Sequence, residues 1–481
     1  MSQNDDQSNN AIPKHLQALF EDDTQSSASV DGVLPDEGKK IRTGRMGRAF
    51  QMSKLAVGGG SKWLMSKAKN LVSDEEKKLE RDKETGMALA TQMLQTFSEM
   101  RGVAMKMGQM LSYMDNFLPP EAQKVLAMLQ RDAPPMPWDV IEAQIEDELG
   151  GLIDDHFDEF STTPIAAASI GQVHKAKLPD GTVVAVKVQY PGIADAMRAD
   201  LKNTKIMGLF QKMLFFRTDA KAIMKELETR FLDECDYTIE ANYQEQFYNR
   251  FKGHPHIVIP KVFRELSTSK ILVTEFQEGM GFYEWVATDP SPEERKEATH
   301  SLYRFYLGSL YLDGLFNCDP HPGNYVFRED GKIAFLDFGC CRQFEEDRQA
   351  LWIKMCQTVI AEKYEDLEEL AVKVGFFPEG LAYDKDAFVD LMRYLYRPYL
   401  EDRPFDWREH PPETTFRRMF VDNPNLFKLN MPADAVFLNR IGFGLVSIQA
   451  EINHPLNCRQ QVTHYFSGYD PDWPEDPFLT K

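Results

Sequence analysis

Cysteine is scarce in this chain and carries no pattern. Six occur in 481 residues, Cys235, Cys318, Cys340, Cys341, Cys356 and Cys458, without a C-x-x-C pair, which reads as reduced thiols in a cytosol rather than a disulfide framework. Long apolar runs are missing too: no stretch of about 18 apolar residues occurs, which argues against a transmembrane helix and leaves any membrane contact peripheral. Residues 1–37, rich in Gln, Asn, Ser and Asp, lack the apolar segment of a signal peptide and read as a disordered tail. Positive charge is in deficit, 55 Lys and Arg against 75 Asp and Glu for a net of −20, which argues against nonspecific nucleic-acid binding by the whole chain. There is no internal repeat.

What is present favours a globular protein: 43% hydrophobic and 11% aromatic residues. The length exceeds one ordinary core, matching two lobes and an extension. Charge is also unevenly spread. Residues 38–70 hold nine Lys and Arg and no acid, interleaved with Phe50, Leu55, Trp63 and Leu64. Such a segment suits the surface of an anionic membrane; a solvated basic linker broken at Gly58-Gly59-Gly60 is the other reading. The expected location is accordingly cytoplasmic, peripheral on the inner face of the cell membrane.

The most informative pattern lies at residues 317–339, NCDPHPGNYVFREDGKIAFLDFG. Asp319 and Asn324 stand five apart, a D-G hairpin follows, and Asp337-Phe338-Gly339 closes the run. Two acids and an amide so ordered are what a kinase-type fold needs to hold Mg²⁺ on a nucleoside triphosphate. Upstream, residues 164–190 read as two strands joined at Pro179-Asp180-Gly181. Val184, Val186 and Val188 share one face, and Ala185, Lys187 and Gln189 the other. Lys187 is either the lysine that reaches the α- and β-phosphates or a solvated lysine on a half-exposed strand. Residues 219–250 read as one helix with an apolar stripe through Ile223, Leu227, Phe231, Cys235 and Ile239. Glu240 is the candidate partner of Lys187, and Asp236 falls on the same face one turn earlier. Two further strands, His256–Phe263 and Lys270–Phe276, are expected to complete the small sheet, and residues 273–279 to form a hinge whose backbone, at Glu275 and Phe276, hydrogen-bonds adenine. The helical patterns beyond residue 291 inform on packing, not on substrate.

These motifs, with Lys106-Met107-Gly108-Gln109 as K-x-G-Q, the Ala166-Ala167-Ala168-Ser169 loop and Glu234-Cys235-Asp236 as E-x-D, occur in the order of the UbiB/AarF family of atypical protein-kinase-like proteins, which the chain resembles, particularly in its coenzyme Q accessory ATPase branch. The resemblance implies an α+β bilobal protein-kinase-like fold: a small antiparallel-sheet N-lobe (151–280), a helical C-lobe (281–481) and a helical extension (73–150) folded over the cleft, preceded by the tail (1–37) and the basic segment (38–72). It implies ATP and Mg²⁺ as cofactors. Lys187 and Glu240 would position phosphates, Asp319 would orient the attacking group, and Asn324 and Asp337 would hold metal. Ala166, Ala167, Ala168, Ser169, Glu275, Phe276, Lys106 and Gln109 would line the nucleotide. Quinone-pathway enzymes or lipids would be the partners.

Three departures from protein kinases stand out. The G-x-G-x-x-G turn is replaced by the alanine-rich loop, whose methyl groups fill space that glycine leaves open. Asn317-Cys318-Asp319 replaces H-R-D. No A-P-E follows Gly339; a helical pattern, EEDRQALWIKMCQTVI, begins almost at once, so the platform for a peptide substrate is missing. The expected activity is that of a kinase-like ATPase supporting ubiquinone biosynthesis. A phosphotransferase acting on a small molecule or lipid, and a nucleotide-switched scaffold for quinone-pathway enzymes, are its rivals.

Overall fold

The computed structural model describes residues 135–168, 170–201, 232–411, 414–415, 417–426 and 428–477. Lys106 and Gln109, the segments at 1–37 and 38–72, Ser169 and the first part of the expected 219–250 helix lie outside these residues.

The smaller lobe opens with helix α1 (Trp138–Leu149), ended by Gly150 at φ 73°, the left-handed cap that glycine adopts without strain. Strands β1 (Glu159–Phe160), β2 (Ala166–Ala167), β3 (Gly171–Lys177) and β4 (Val183–Gln189) follow, then helix α2 (Ile193–Leu201), helix α3 (Tyr237–Phe251) and, after strand β5 (Ile257–Val258) of the larger lobe's sheet, strand β6 (Ile271–Glu275). The sheet runs β1-β3-β4-β6 with β2 on β3, antiparallel throughout. The alternation in β4 puts Val184, Val186 and Val188 fully inside, and the β3–β4 turn is built by Gly181 at φ 87° and by Asp180, which accepts from the Thr182 N–H at 2.9 Å. Helix α1 docks on this sheet through Glu148, which receives Lys270 and Thr268 at 2.7 Å each.

The larger lobe holds β7 (Met280–Gly281), α4 (Phe282–Ala287), α5 (Pro292–Tyr303), β8 (Leu315–Asn317), β9 (Tyr325–Phe327), β10 (Ile333–Phe335), β11 (Cys341–Gln343), α6 (Glu346–Ile360), α7 (Leu367–Val374), α8 (Lys385–Leu395), α9 (Ala433–Ile452) and α10 (Cys458–Phe466). Helix α5 starts at a Ser291/Glu294 capping box and runs on as π-helical turns over Arg304–Asp313 to Gly314. Its aromatic core stacks Phe305 on Phe335 at 3.7 Å and sets Phe247 of α3 5.2 Å from Phe338. A second core lies among α6, α7 and α8. A cavity of about 180 Å³ lined by Leu310, Trp352, Leu391, Tyr399 and Phe443 includes none of the Lys187 cluster described below. Asp434–Ile452 is long and apolar enough to cross a membrane by length and composition. Its residues Ile441, Leu445, Ile448 and Ile452 are instead packed in the core.

Two expected elements are corrected. The 219–250 helix is broken within its described part: residues 234–235 lie in a turn, and Asp236, at φ −125° and ψ 97°, accepts from the Thr238 N–H as the N-cap of α3. A capping aspartate must leave helical geometry to reach that N–H, so Asp236 shares no helix face with Glu240. The strand expected over His256–Phe263 is only Ile257–Val258, and it joins the second sheet (β5-β10-β9-β7) in parallel with β10. Pro260, which lacks an N–H, ends the run, and Val262 makes an isolated bridge to Thr274.

Candidate active site

Lys187 lies mid-strand in β4, on the face opposite the buried valines, and its Nζ donates to both oxygens of Glu240 at 2.8 Å. Asp337, two residues beyond the end of β10, lies 3.9 Å from the same nitrogen through Oδ2. Asp337 Oδ1 accepts from the Gly339 N–H at 2.9 Å. The Tyr237 ring closes the underside, 5.1 Å from Lys187 Nζ. Burial works against the lysine charge, but Asp337 and Glu240 outweigh it and hold the pKa of Lys187 above its ordinary value. Burial in turn raises the Glu240 carboxyl despite its lysine. Phe338 is fully buried and anchors the turn.

The 317–324 loop is tied to this cluster by Asn317. Its Nδ2 donates to the Asp337 carbonyl at 2.8 Å, and its Oδ1 accepts from the Asp319 N–H at 2.7 Å. Asn324 Nδ2 reaches the Asp319 carbonyl at 3.2 Å, and the Asn324 carbonyl accepts from the Leu336 N–H at 3.0 Å. Asp319, Asn324 and Asp337 therefore belong to one hydrogen-bonded unit, of which Asp337 lies beside Lys187.

The remaining expected residues sit further out. Ala166 pairs with Val173, and Val173 with Lys187, so Ala166 stands two strands from the lysine, roughly 10 Å. Ala166 and Ala167 are exposed, and Ala168 turns the hairpin by donating to the Gly171 carbonyl at 2.9 Å. A Cβ on Gly171 would meet the Val188 carbonyl oxygen at 2.2 Å, so the loop's return needs glycine. Glu275 ends β6 and Phe276 follows it, their amides donating to the Lys261 and Val183 carbonyls at 2.8 and 3.0 Å. Neither N–H is left for adenine, and a donor to the base has to come from beyond Phe276. Glu234 lies in the turn before α3.

Sequence reasoning missed two residues. Asn317 occupies the place of the H-R-D histidine, two before the aspartate, which was a usable signal. Arg440 of α9 donates to Asp319 Oδ1 at 2.7 Å. Gly444, one turn on, packs so close that a Cβ there would stand 2.4 Å from Pro320 Cγ. The C-terminal helices thus reach the site, correcting their reading as packing alone.

Among the described residues no three His, Cys, Asp or Glu side chains converge as a metal cage. One carboxylate and one amide oxygen, as Asp337 and Asn324 present, still fit a small hard cation, which takes few protein ligands and completes its shell with water and phosphate. The excess of acid over base around Lys187 is consistent with such a guest.

A family model for the ABC1 atypical kinase-like domain matches residues 128–371. The chain is 32% identical over 364 residues to the "Probable serine/threonine-protein kinase abkA" of Dictyostelium discoideum, covering 71% of this chain and 64% of that protein, less than two thirds of its length. It is 29% identical over 448 residues to "Atypical kinase COQ8, mitochondrial" of Saccharomyces cerevisiae, covering 90% and 86%. Among solved structures, the Rv3197–erythromycin complex from Mycobacterium tuberculosis matches 81% of this chain and 97% of that one at 28% identity, with a TM-score of 0.55.

Proposed function

The chain belongs to the family of ABC1 atypical kinase-like domains, and on that premise we propose that it is a Mg²⁺-dependent, ATP-binding kinase-like ATPase that supports ubiquinone biosynthesis and does not phosphorylate peptides. The observation that carries this reading is the strand lysine held by both oxygens of a helix glutamate, 3.9 Å from the aspartate of the Asp337-Phe338-Gly339 turn. Lys187, kept charged, offers a fixed cation to the phosphates, and Glu240 fixes where it points. Asp337 and Asn324 are the residues that would hold Mg²⁺, whose chemistry there is to neutralise phosphate charge. Asp319, pinned by Asn317 and Arg440, would orient the attacking group.

The absence of a peptide platform rests on chain length. After Gly339 only residues 340–345 precede α6, and part of them is β11, paired with β8. The quinone link comes from the COQ8 relative. Lys106, Gln109 and Ser169 complete the nucleotide surroundings in this reading, and residues 38–70 supply the contact with an anionic membrane. Deleting residues 38–70 should abolish flotation with anionic liposomes; unchanged flotation removes their membrane role.

Phosphate release from ATP, measured with and without Mg²⁺, tests the enzyme. Asp337→Asn is expected to lower Mg²⁺-dependent turnover on the order of 10²-fold; full nucleotide affinity and hydrolysis in that variant would overturn the assignment. One observation favours a second reading, a nucleotide-switched scaffold: Arg440 engages the carboxylate of Asp319 at 2.7 Å. Nucleotide binding without turnover, with or without lipid and a phenolic additive, would select it. Labelled γ-phosphate on an extracted lipid or small molecule would instead select a phosphotransferase.

A further inference from the structure

Cys318 and Cys340 face each other across the β8–β11 ladder. The register pairs Gln343 with Leu315, Arg342 with Phe316 and Cys341 with Asn317. One step further, Cys340 meets Cys318, and the Cys318 N–H donates to the Cys340 carbonyl at 2.7 Å. Directly opposed residues of an antiparallel pair have Cα atoms about 4.5–5.5 Å apart and side chains on one face. A disulfide needs roughly 4.4–6.8 Å. The Cys318 side chain is near enough to be the largest influence on the acidity of the Cys340 thiol. Cys341 is the next residue along, so its side chain projects to the opposite face of the ladder.

The two sulfurs differ in character. Cys318 is fully buried and Cys340 half-buried, and the Arg440 guanidinium lies 3.8 Å from Cys340 Sγ. The Cys318 side chain, helped by Arg440, draws the Cys340 thiol down to about 7, whereas burial pushes Cys318 well up. A reachable thiol beside a cation, backed by a buried second thiol, is the arrangement of an attacking and a resolving cysteine.

We propose that Cys340 and Cys318 form a reversible disulfide, with a hydroperoxide as oxidant, that pins the Asp319 loop to the turn after Asp337-Phe338-Gly339. The Cys340 sulfur attacks one peroxide oxygen and the O–O bond breaks. The departing alkoxide takes a proton and leaves as ROH, and a sulfenic acid remains on Cys340. The Cys318 sulfur then attacks the Cys340 sulfur, and the sulfenic hydroxyl leaves as water with the Cys318 proton. Two thiols lose two electrons and the peroxide gains them; a dithiol reverses the step by exchange. Cys318 adjoins Asp319, and Cys340 follows Gly339, whose N–H holds Asp337, so the new bond would cross-link the two loops that Asn317 bridges by hydrogen bonds. The effect on turnover rests on the proposed ATPase reading; the disulfide itself does not.

The test treats the full chain with hydrogen peroxide, blocks free thiols, and maps tryptic peptides without reduction. Peptides 305–328 and 333–342 should appear linked, separate on dithiothreitol, stay unlinked in Cys340→Ser and Cys318→Ser, and remain linked in Cys341→Ser. In parallel, peroxide should lower phosphate release roughly tenfold in the unsubstituted protein, with recovery on reduction, as expected when reacting groups are held out of place. Peptides that stay separate after peroxide, or a link that survives in Cys340→Ser, would overturn the proposal. A link formed with turnover unchanged would overturn its control of the loop. Mapping needs no nucleotide, so an enzyme inactive before oxidation speaks against the proposed function and leaves the disulfide result standing.

Discussion

At the residue scale the site depends on side chains that satisfy two partners at once. Asn317 is nearly fully buried and uses its donor for the Asp337 carbonyl and its acceptor for the Asp319 N–H. Alanine would leave both main-chain groups without their partner, at about 1–3 kcal/mol for each unsatisfied buried group. Asn317→Ala should therefore lower unfolding stability by roughly 2–4 kcal/mol and weaken nucleotide binding. Urea unfolding beside a nucleotide titration checks this, and an unshifted midpoint would contradict it. Glu240→Gln should keep the shape around Lys187 and remove a charge, so its main effect should be on nucleotide affinity, with stability changing less. Residues of this kind divide by how they could be read. Lys187, Glu240 and Asp337 were legible because each sits in a short motif whose order along the chain mirrors the site. Arg440 was not: its partner lies 121 residues away, and no short motif surrounds it in its helix.

At the scale of elements, α9 shows what a helix near a catalytic loop requires. Gly442 and Gly444 lie in this one helix, yet a Cβ at 442 meets nothing within 4 Å, while at 444 it would strike Pro320 Cγ at 2.4 Å and Pro320 O at 2.7 Å. Alanine favours helix over glycine by about 1 kcal/mol, so Gly442→Ala should stabilise by up to that amount. Gly444→Ala must push α9 off the loop, at about 1–3 kcal/mol for an overpacked contact, and should also lower turnover, because Arg440 moves away from Asp319. Thermal unfolding and phosphate release on the pair check the contrast; equal effects at both positions would refute it. The β3–β4 hairpin was legible element by element, since strict alternation and Asp180-Gly181 fix both register and turn. The break before α3 was not, because the apolar stripe continues across Cys235 while a single aspartate cap decides where the helix starts. Likewise β5 resembles a strand of the small sheet in composition, and only its pairing with β10 places it in the other lobe.

The molecule as a whole is held by buried charge that composition cannot reveal. Arg304, fully buried, pairs with Asp470 and lies 3.5 Å from Asp313, and Arg250 at the end of α3 reaches Asp313 at 2.5 Å and Asp476 at 2.6 Å. This knot ties the last described residues to α3 and α5, and His254 lies beside it, its ring 5.0 Å from Trp473. Burial, followed by Arg304, draws the His254 pKa from 6.5 down to about 2. Its Nδ1 accepts from the His256 and Ile257 N–H groups at 3.1 and 3.0 Å, bonds that a proton on that nitrogen would remove. Ile257 opens β5, which sets the register of β10, and β10 leads to Asp337, so the histidine's protonation bears on the active-site strand. Between pH 6.5 and 2 the unfolded chain binds a proton here that the folded chain refuses. The stability contributed by neutral His254 is thus complete above pH 6.5 and is lost progressively as pH falls below it, by up to about 1.4 kcal/mol per pH unit. Urea midpoints measured from pH 7 to pH 5 should fall steeply in the unsubstituted protein and distinctly less in His254→Gln. The glutamine variant starts lower at pH 7, because its amide fills the space without the ring's two accepted bonds. Parallel slopes in the two proteins would show that some other group drives acid unfolding and that the strand leading to Asp337 does not depend on a neutral imidazole.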